Sequence, residues 1–461
     1  MKQSIIPKKP ILINVSRKEH VLNREAIAIF AAIGFFLDRD AYWNDESAIP
    51  PATNYTLNDS NEIVSEKQYF EWHYSPRNIT FETAVAEFTE IFESSTRKFD
   101  DKTIILPLSG GLDSRTIATA LRSNKNVNAY SYHFQGGVNE SAYGRKIAET
   151  AGFNFKEFII PSGYLWKDIE RLAEINQCYA EFTHPRQMFI LDQLQSMGDV
   201  IMAGHGGDLF FDGMGVADNL SLDDQINYLT KKLVRKGGME LANSLWKHWS
   251  LPGNFIDYLS GRLEALLNTI PIDNANARLR AFKSKYYVHR WTMVNMEIFL
   301  DQRPVFAPYF TDEMCKFICS IPEELLKGRK IQIEYIKNRS PRLAAIAWQS
   351  KAPYNLFNYH KYLSYNHLYY RIKNKIKNSW RETITQKPLI QRNWELQFLG
   401  KENDNNLSHW LLENPQLYPL IPKEIIEEYY YKFKTEDSIY WSHAVSMLLT
   451  LSIKSNKMQY Q

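Results

Sequence analysis

Between residues 80 and 215 the chain alternates short apolar runs with segments of helical period, and this alternation sets the fold expectation. TFETAVAEFTEIFESSTRK, at 80–98, puts Phe81, Val85, Phe88, Ile91 and Phe92 at helical spacing, with Asn78 or Thr80 to cap it. TIILPLS then reads as a buried strand and SRTIATALRS as a helix. VNAYSYHF is a second strand, NESAYGRKIAETAG a helix stopping at Gly152, and NFKEFIIP a third strand. HPRQMFILDQLQSMG reads as a helix and DVIMAG as a fourth strand. Strands alternating with helices predict an α/β fold, a parallel sheet flanked by helices. Beyond about residue 215 no strand is expected; 221–461 reads as helices broken by Pro and Gly, with KENDNN at 401–406 as a loop. Residues 1–79 mix apolar runs with turn signals and read as a small irregular piece.

Composition narrows the class. The chain has 461 residues, 44% hydrophobic and 23% charged, as in ordinary globular proteins. A net charge of +3 gives no general attraction to nucleic acid. The most apolar run, AIAIFAAIGFFL, is too short to cross a bilayer, and the first twenty residues lack the apolar stretch of a signal peptide. A cytoplasmic protein with no membrane partner is expected. Three cysteines, Cys178, Cys315 and Cys319, argue for a reducing compartment, and CKFIC reads as buried thiols. Aromatics are frequent (14%) and crowd the C-terminal half, in YHKYLSYNHLYYRI and KEIIEEYYYKF, where packing is the expected role.

Two glycine-rich turns follow predicted strands, at the edge where open parallel sheets bind ligands. In SGGLDS, Gly110 and Gly111 let backbone N–H groups approach an anion, and the helix starting near Asp113 adds its dipole. Ser109 and Ser114 add hydroxyls, while no Lys stands where a Walker loop has one. Asp113 would repel a phosphate unless magnesium lay between them. AGHGGDLFFDG carries Asp208 behind Gly204, Gly206 and Gly207. Two carboxylates from two strand ends can hold Mg2+ on a triphosphate.

These segments resemble the asparagine synthetase family over roughly residues 30–360. SGGLDS, including Leu112, is similar to its pyrophosphatase loop, and AGHGGDLFFDG to its second Gly-rich signature. NESAYGRKIAETAG resembles its adenosine-side helix, with Glu140 at the acidic position. RPVFAPYFTDEMCKFICSIPEELLKGRK is similar to its R-x-P-F-L-D segment, and AIAWQSKAPYN puts Lys351 on its catalytic lysine. The resemblance implies an adenine nucleotide α-hydrolase-like fold of the pyrophosphatase-loop type. It implies a synthetase domain at 80–461, with an α/β core at about 100–215 and a mostly helical remainder. Residues 1–79 would be the truncated end of a glutaminase domain. The implied activity is a carbon–nitrogen ligase using ATP and Mg2+, in which a carboxylate attacks the α-phosphate. Pyrophosphate leaves, and ammonia or an amine then displaces AMP. Ser109–Ser114 would take the pyrophosphate, Asp113 and Asp208 the metal, and Lys351 the charge at the α-phosphate; Arg303 and Lys330 are further cationic candidates.

Two departures alter the expected substrate. The chain begins Met1-Lys2 and has no Cys before Cys178, so glutamine hydrolysis is not expected. The amine would be free ammonia, ammonia from a separate glutaminase, or a group on the substrate. His205 stands where the family has a glutamate, either as a base or as a structural group of the turn. The acid could then be aspartate, a peptide carboxylate closed into a macrolactam, or a sugar or natural-product acid. A tRNA-modifying enzyme of the same loop type and a non-catalytic nucleotide-binding protein are the competing classes. A homo-oligomer is left open.

Overall fold

The computed structural model describes residues 12–14, 21–58, 63–363 and 390–458. The readings of the first twenty residues and of the aromatic run past residue 363 therefore lie largely outside the described residues. Two small antiparallel pairs come first: β1 (Leu12–Asn14) with β2 (Glu46–Ala48), and β3 (Thr53–Leu57) with β4 (Ile63–Gln68). Between β1 and β2 runs the helix Arg24–Ile33, whose residues Ala26–Ile33 are fully buried. It packs against the helix Gly238–His248, so its apolar run fills the helical half of the protein.

The main sheet has five parallel strands: β5 (Ile104–Pro107), β6 (Val127–Phe134), β7 (Asn154–Ile160), β8 (Val200–Met202) and β9 (Val305–Phe306). Their spatial order is β7-β6-β5-β8-β9. Ile104 faces Val127 on one side and Val200 on the other. Ile104, Ile105 and Leu106 have no exposure, as the central strand of a sheet covered on both faces requires. Chain order reverses between β5 and β8, so a crevice opens there at the carboxyl ends of the strands.

Three sequence expectations need correction. A strand does occur after residue 215: β9 pairs in parallel with β8, Ile201 opposite Val305. KENDNN is the first turn and a half of the helix Lys401–Leu412, not a loop. Tertiary contacts hold it there: Leu407 and Leu411 are buried, and the Asn403 amide donates to the Leu396 and Leu399 carbonyls and accepts from the Trp166 indole. The helix expected at 184–198 is instead a 3-10 turn, Arg186–Ile190, and one α turn, Leu191–Leu194. The helix Phe81–Arg97 forms as expected, and Thr80 accepts the Thr83 N–H at 3.2 Å. Tyr429, Tyr430 and Phe433 of KEIIEEYYYKF are buried, which is the packing role expected of them. All three cysteines are free thiols, and burial pushes Cys178 up to about 12. Among the described residues no helix is long and apolar enough to cross a membrane.

Arg115, in the helix Leu112–Ala120, has no solvent exposure and no acidic partner among the described residues. Its guanidinium donates to the carbonyls of Ile346 and Ala347, both at 2.8 Å, and of Gly110 at 3.1 Å. Burial pulls its pKa down to about 10. The side chain thus ties the turn after β5 to the segment that carries Lys351. Arg115→Met should leave the Ile346 and Ala347 carbonyls without this donor and cost about 3 kcal/mol, read as a lower urea midpoint. An unchanged midpoint would contradict the role assigned to it.

Candidate active site

The turn after β5 closes on itself. Ser109 N–H donates to the Ser114 hydroxyl at 3.1 Å, the two hydroxyls lie 3.2 Å apart, and Gly111 N–H donates to Ser109 Oγ. Gly111 is the N-cap of the helix that follows, and Leu112 is buried beneath it. The free N–H groups of that first turn and the two hydroxyls form a cluster of donors suited to an anion. At Gly110 the backbone is hemmed in: an added Cβ would come within 2.7 Å of the Cβ atoms of Gln349 and Tyr143.

The second turn, after β8, lies against the first. A Cβ on Gly207 would fall 2.0 Å from Asp113 Oδ1, so only glycine leaves room for that carboxylate. Gly206 has φ +100 and is the N-cap of the short helix Gly207–Phe210, in which Asp208 accepts the Leu209 N–H at 2.9 Å. Gly204 packs on the backbone of Asp113 and Ser114. Burial raises Asp113 to about 6; Arg329 opposes the rise and the neighbouring Asp208 charge adds to it. Two like charges held this close favour a cation between them. Both are hard oxygen donors, which fits Mg2+. No group of three acidic, His or Cys side chains is gathered for a metal among the described residues. A bound Mg2+ would therefore complete its shell with phosphate and water oxygens.

The remaining predicted residues divide. Lys351 is brought to this edge by its own segment: Gln349 N–H donates to the Gly110 carbonyl, and Gln349 Oε1 accepts the Gly110 N–H at 3.2 Å. The Lys351 ammonium lies 4.3 Å from the Tyr362 ring centre and 5.9 Å from that of Trp348, and it has no carboxylate partner among the described residues. Glu140 is exposed at the N-cap of the helix Ser141–Ala151, whose first turn abuts Gly110 through Tyr143. His205 is open to the crevice, and its ring makes no hydrogen bond to the described residues. Desolvation by the surrounding walls lowers its pKa, Asp208 opposes this, and Arg186 lowers it further.

Arg303 is not part of the site. It sits at the amino end of β9, where its guanidinium donates to the carbonyls of Gly198 (2.7 Å) and Gln195. These precede β8, at the opposite edge of the sheet, so Arg303 binds backbone and not phosphate. Lys330 is exposed at the start of the helix Lys330–Arg339 and pairs with no acid among the described residues. Its neighbour Arg329, at φ +60, reaches Asp113 instead, and Gln332 donates to the same carboxylate at 3.3 Å. Of the cations of KGRK, it is Arg329 that pairs with Asp113 in the structure. Sequence reasoning passed over Arg186, which is exposed, stands near His205 and lies 6.0 Å from the Tyr132 ring centre.

The helix Lys283–Thr292 is wound as a π-helix, a form that occurs often at functional sites. Its Lys283 and Tyr287 both feel the Asp208 charge.

Comparison with known proteins accords with this geometry. No curated protein sequence matches the chain. Among solved structures, the NMN synthetase from Francisella tularensis aligns over 45% of this chain and 94% of its own at 12% identity. Its TM-score is 0.22, at which the likeness carries no weight. The family model described as asparagine synthase matches residues 93–412, well over half of the chain and both glycine-rich turns. This chain belongs to the asparagine synthase family of ATP-dependent, amide-forming synthetases.

Proposed function

We propose that the protein joins a carboxylic acid to ammonia or an amine while cleaving ATP to AMP and pyrophosphate. The observation that carries this reading is the pairing of Asp113 with the second turn, beside the donor cluster of Ser109–Ser114. Donors at a helix N-terminus and two acids behind them suit a metal-bound triphosphate held by its outer phosphates. The α-phosphorus is then the one left open to the crevice.

The acid's carboxylate oxygen attacks the α-phosphorus, and the bond from that phosphorus to the β-bridging oxygen breaks. Ser109, Ser114 and the first-turn N–H groups hold the departing pyrophosphate. Asp113 and Asp208 would hold Mg2+, which supplies charge neutralisation on the phosphates. Lys351 neutralises negative charge gathering at the α-phosphate, a role that needs a cation not already paired. The amine nitrogen then attacks the acyl carbonyl, and the carbon–oxygen bond to AMP breaks.

Arg329 now pairs with Asp113. On binding it would pass from the carboxylate to phosphate oxygens, since the metal replaces it as counter-charge. His205 lines the acyl side in place of the family's carboxylate. An uncharged ring there suits an acid other than aspartate, such as a peptide carboxylate.

Incubation with ATP, Mg2+, ammonium and a panel of amino acids, peptides and sugar acids should yield AMP and pyrophosphate with one member. ADP and phosphate as products would sink the reading. Asp113→Asn and Lys351→Ala should each lower pyrophosphate release by about 10²–10³-fold with little change in thermal midpoint. Gly207→Ala should act like Asp113→Asn, because its methyl displaces that carboxylate; full activity in it would contradict the packing argument.

A further inference from the structure

The helix that carries Asp208, Gly207–Phe210, is a single turn. One turn fixes several residues for very few backbone bonds and does not hold itself in water. Asp208 is exposed, and its carboxylate accepts the Leu209 N–H at 2.9 Å, so the backbone of this turn decides where the carboxylate stands. Support for the turn comes from the N-terminal part of the chain. Residues 69–80, between β4 and the helix Phe81–Arg97, form an arm with no helix or strand of its own. Backbone bonds pin it at the end of the helix Asp312–Cys319: Ser75 N–H donates to the Cys319 carbonyl at 2.9 Å and Arg77 N–H to the Ser320 carbonyl at 3.0 Å.

Two routes lead from this arm to the Asp208 turn. The first is a row of rings. Phe70 meets Trp72 edge-on at 5.3 Å, Trp72 lies 5.4 Å from Phe210, and Phe210 meets Phe310 edge-on at 5.5 Å. Phe310 ends the row on Gly206, where an added Cβ would fall 2.7 Å from the tip of its ring. Phe210 has no exposure, and Trp72 is partly buried against the core. The second route is polar. The Tyr74 hydroxyl accepts the Glu323 N–H at 3.2 Å. The Glu323 carboxylate pairs with Arg280, both side chains being buried. Arg280 donates to the carbonyls of Leu209 at 3.3 Å and Asp212 at 3.0 Å. A guanidinium fork there satisfies carbonyls that the end of a helix leaves without partners. Asp212 Oδ1 in turn accepts the Gly328 N–H at 2.9 Å, next to Arg329. Rings thus grip Gly206 and Phe210, and the guanidinium holds the carbonyls at the carboxyl end of the turn.

We propose that residues 70–74 brace the synthetase site, with Trp72 and Tyr74 as positioning residues for Asp208; the part concerning Mg2+ and ATP rests on the adenylation reading above. The segment expected as the end of a truncated domain is then needed by the site itself. It fixes the second carboxylate that would hold Mg2+, and through Arg280 and Asp212 it reaches the turn that presents Arg329.

Two readouts on the full chain test this. Hydrogen exchange reads the turn directly: in Trp72→Ala the amides of 206–212 should exchange about tenfold faster while those of β5 and β6 do not change, and Trp72→Phe should return them to within about threefold. Equilibrium dialysis of ATP reads the site: the Mg2+ concentration that half-saturates ATP binding should rise about tenfold in Trp72→Ala and fall back in Trp72→Phe. Tyr74→Phe keeps the ring and removes the acceptor, so it is the variant to use if Trp72→Ala does not fold; it should speed exchange at Glu323 and at 209–212. Unchanged exchange at 206–212 in Trp72→Ala, or faster exchange spread evenly over the chain, would overturn the brace. A loosened turn with an unchanged Mg2+ requirement would overturn the positioning of Asp208. If the unaltered protein binds no ATP in the presence of Mg2+, the adenylation reading falls instead, and hydrogen exchange still decides the brace.

Discussion

A single buried cation holds the two halves of this site in register. Arg115 spans from the turn after β5 to the carbonyls just ahead of Trp348, with no solvent exposure and no counter-ion among the described residues. A guanidinium can do this because its planar fork donates several hydrogen bonds in fixed directions. The result is a direct tie between the turn after β5 and the Lys351 segment, far apart in sequence. Gln349 adds a second tie at Gly110 from the same segment.

The sheet supplies the other constraint. Because chain order reverses between β5 and β8, both glycine-rich turns leave the sheet on the two sides of one crevice. Glycine at 207 lets Asp113 pack directly on the second turn, and the Asp208 charge then adds to the rise that burial imposes on Asp113. That strain between like charges is a standing demand for a cation. Arg329 answers it without ligand, and a metal-bound triphosphate would answer it with more charge.

Much of this was legible in the sequence because its signals are local. Apolar runs bounded by turn residues gave four of the five strands, and SGGLDS and GHGGD sat at their ends. Thr80 was readable as a cap because capping depends on neighbours three residues away. What escaped depends on partners distant in the chain. β9 has only two residues and exists through its pairing with β8. KENDNN looks like a loop until Asn403 finds Trp166 and the Leu396 carbonyl. Arg303 has the composition of a site residue, but its carbonyl partners lie at the far edge of the sheet. In KGRK, two residues at positive φ, Gly328 and Arg329, decide which cation reaches Asp113, and nothing periodic marks them. The buried Glu181 carboxylate finds its Ser446 donor on the last helix, 265 residues away.

The proposed chemistry depends on attack by a carboxylate oxygen at the α-phosphorus. The most direct measurement is to supply the accepted acid with its carboxylate labelled in 18O and to weigh the nucleotide product. One label transferred to AMP, with none in pyrophosphate, is the predicted result. Label found in inorganic phosphate, or released to water with none in AMP, would contradict it.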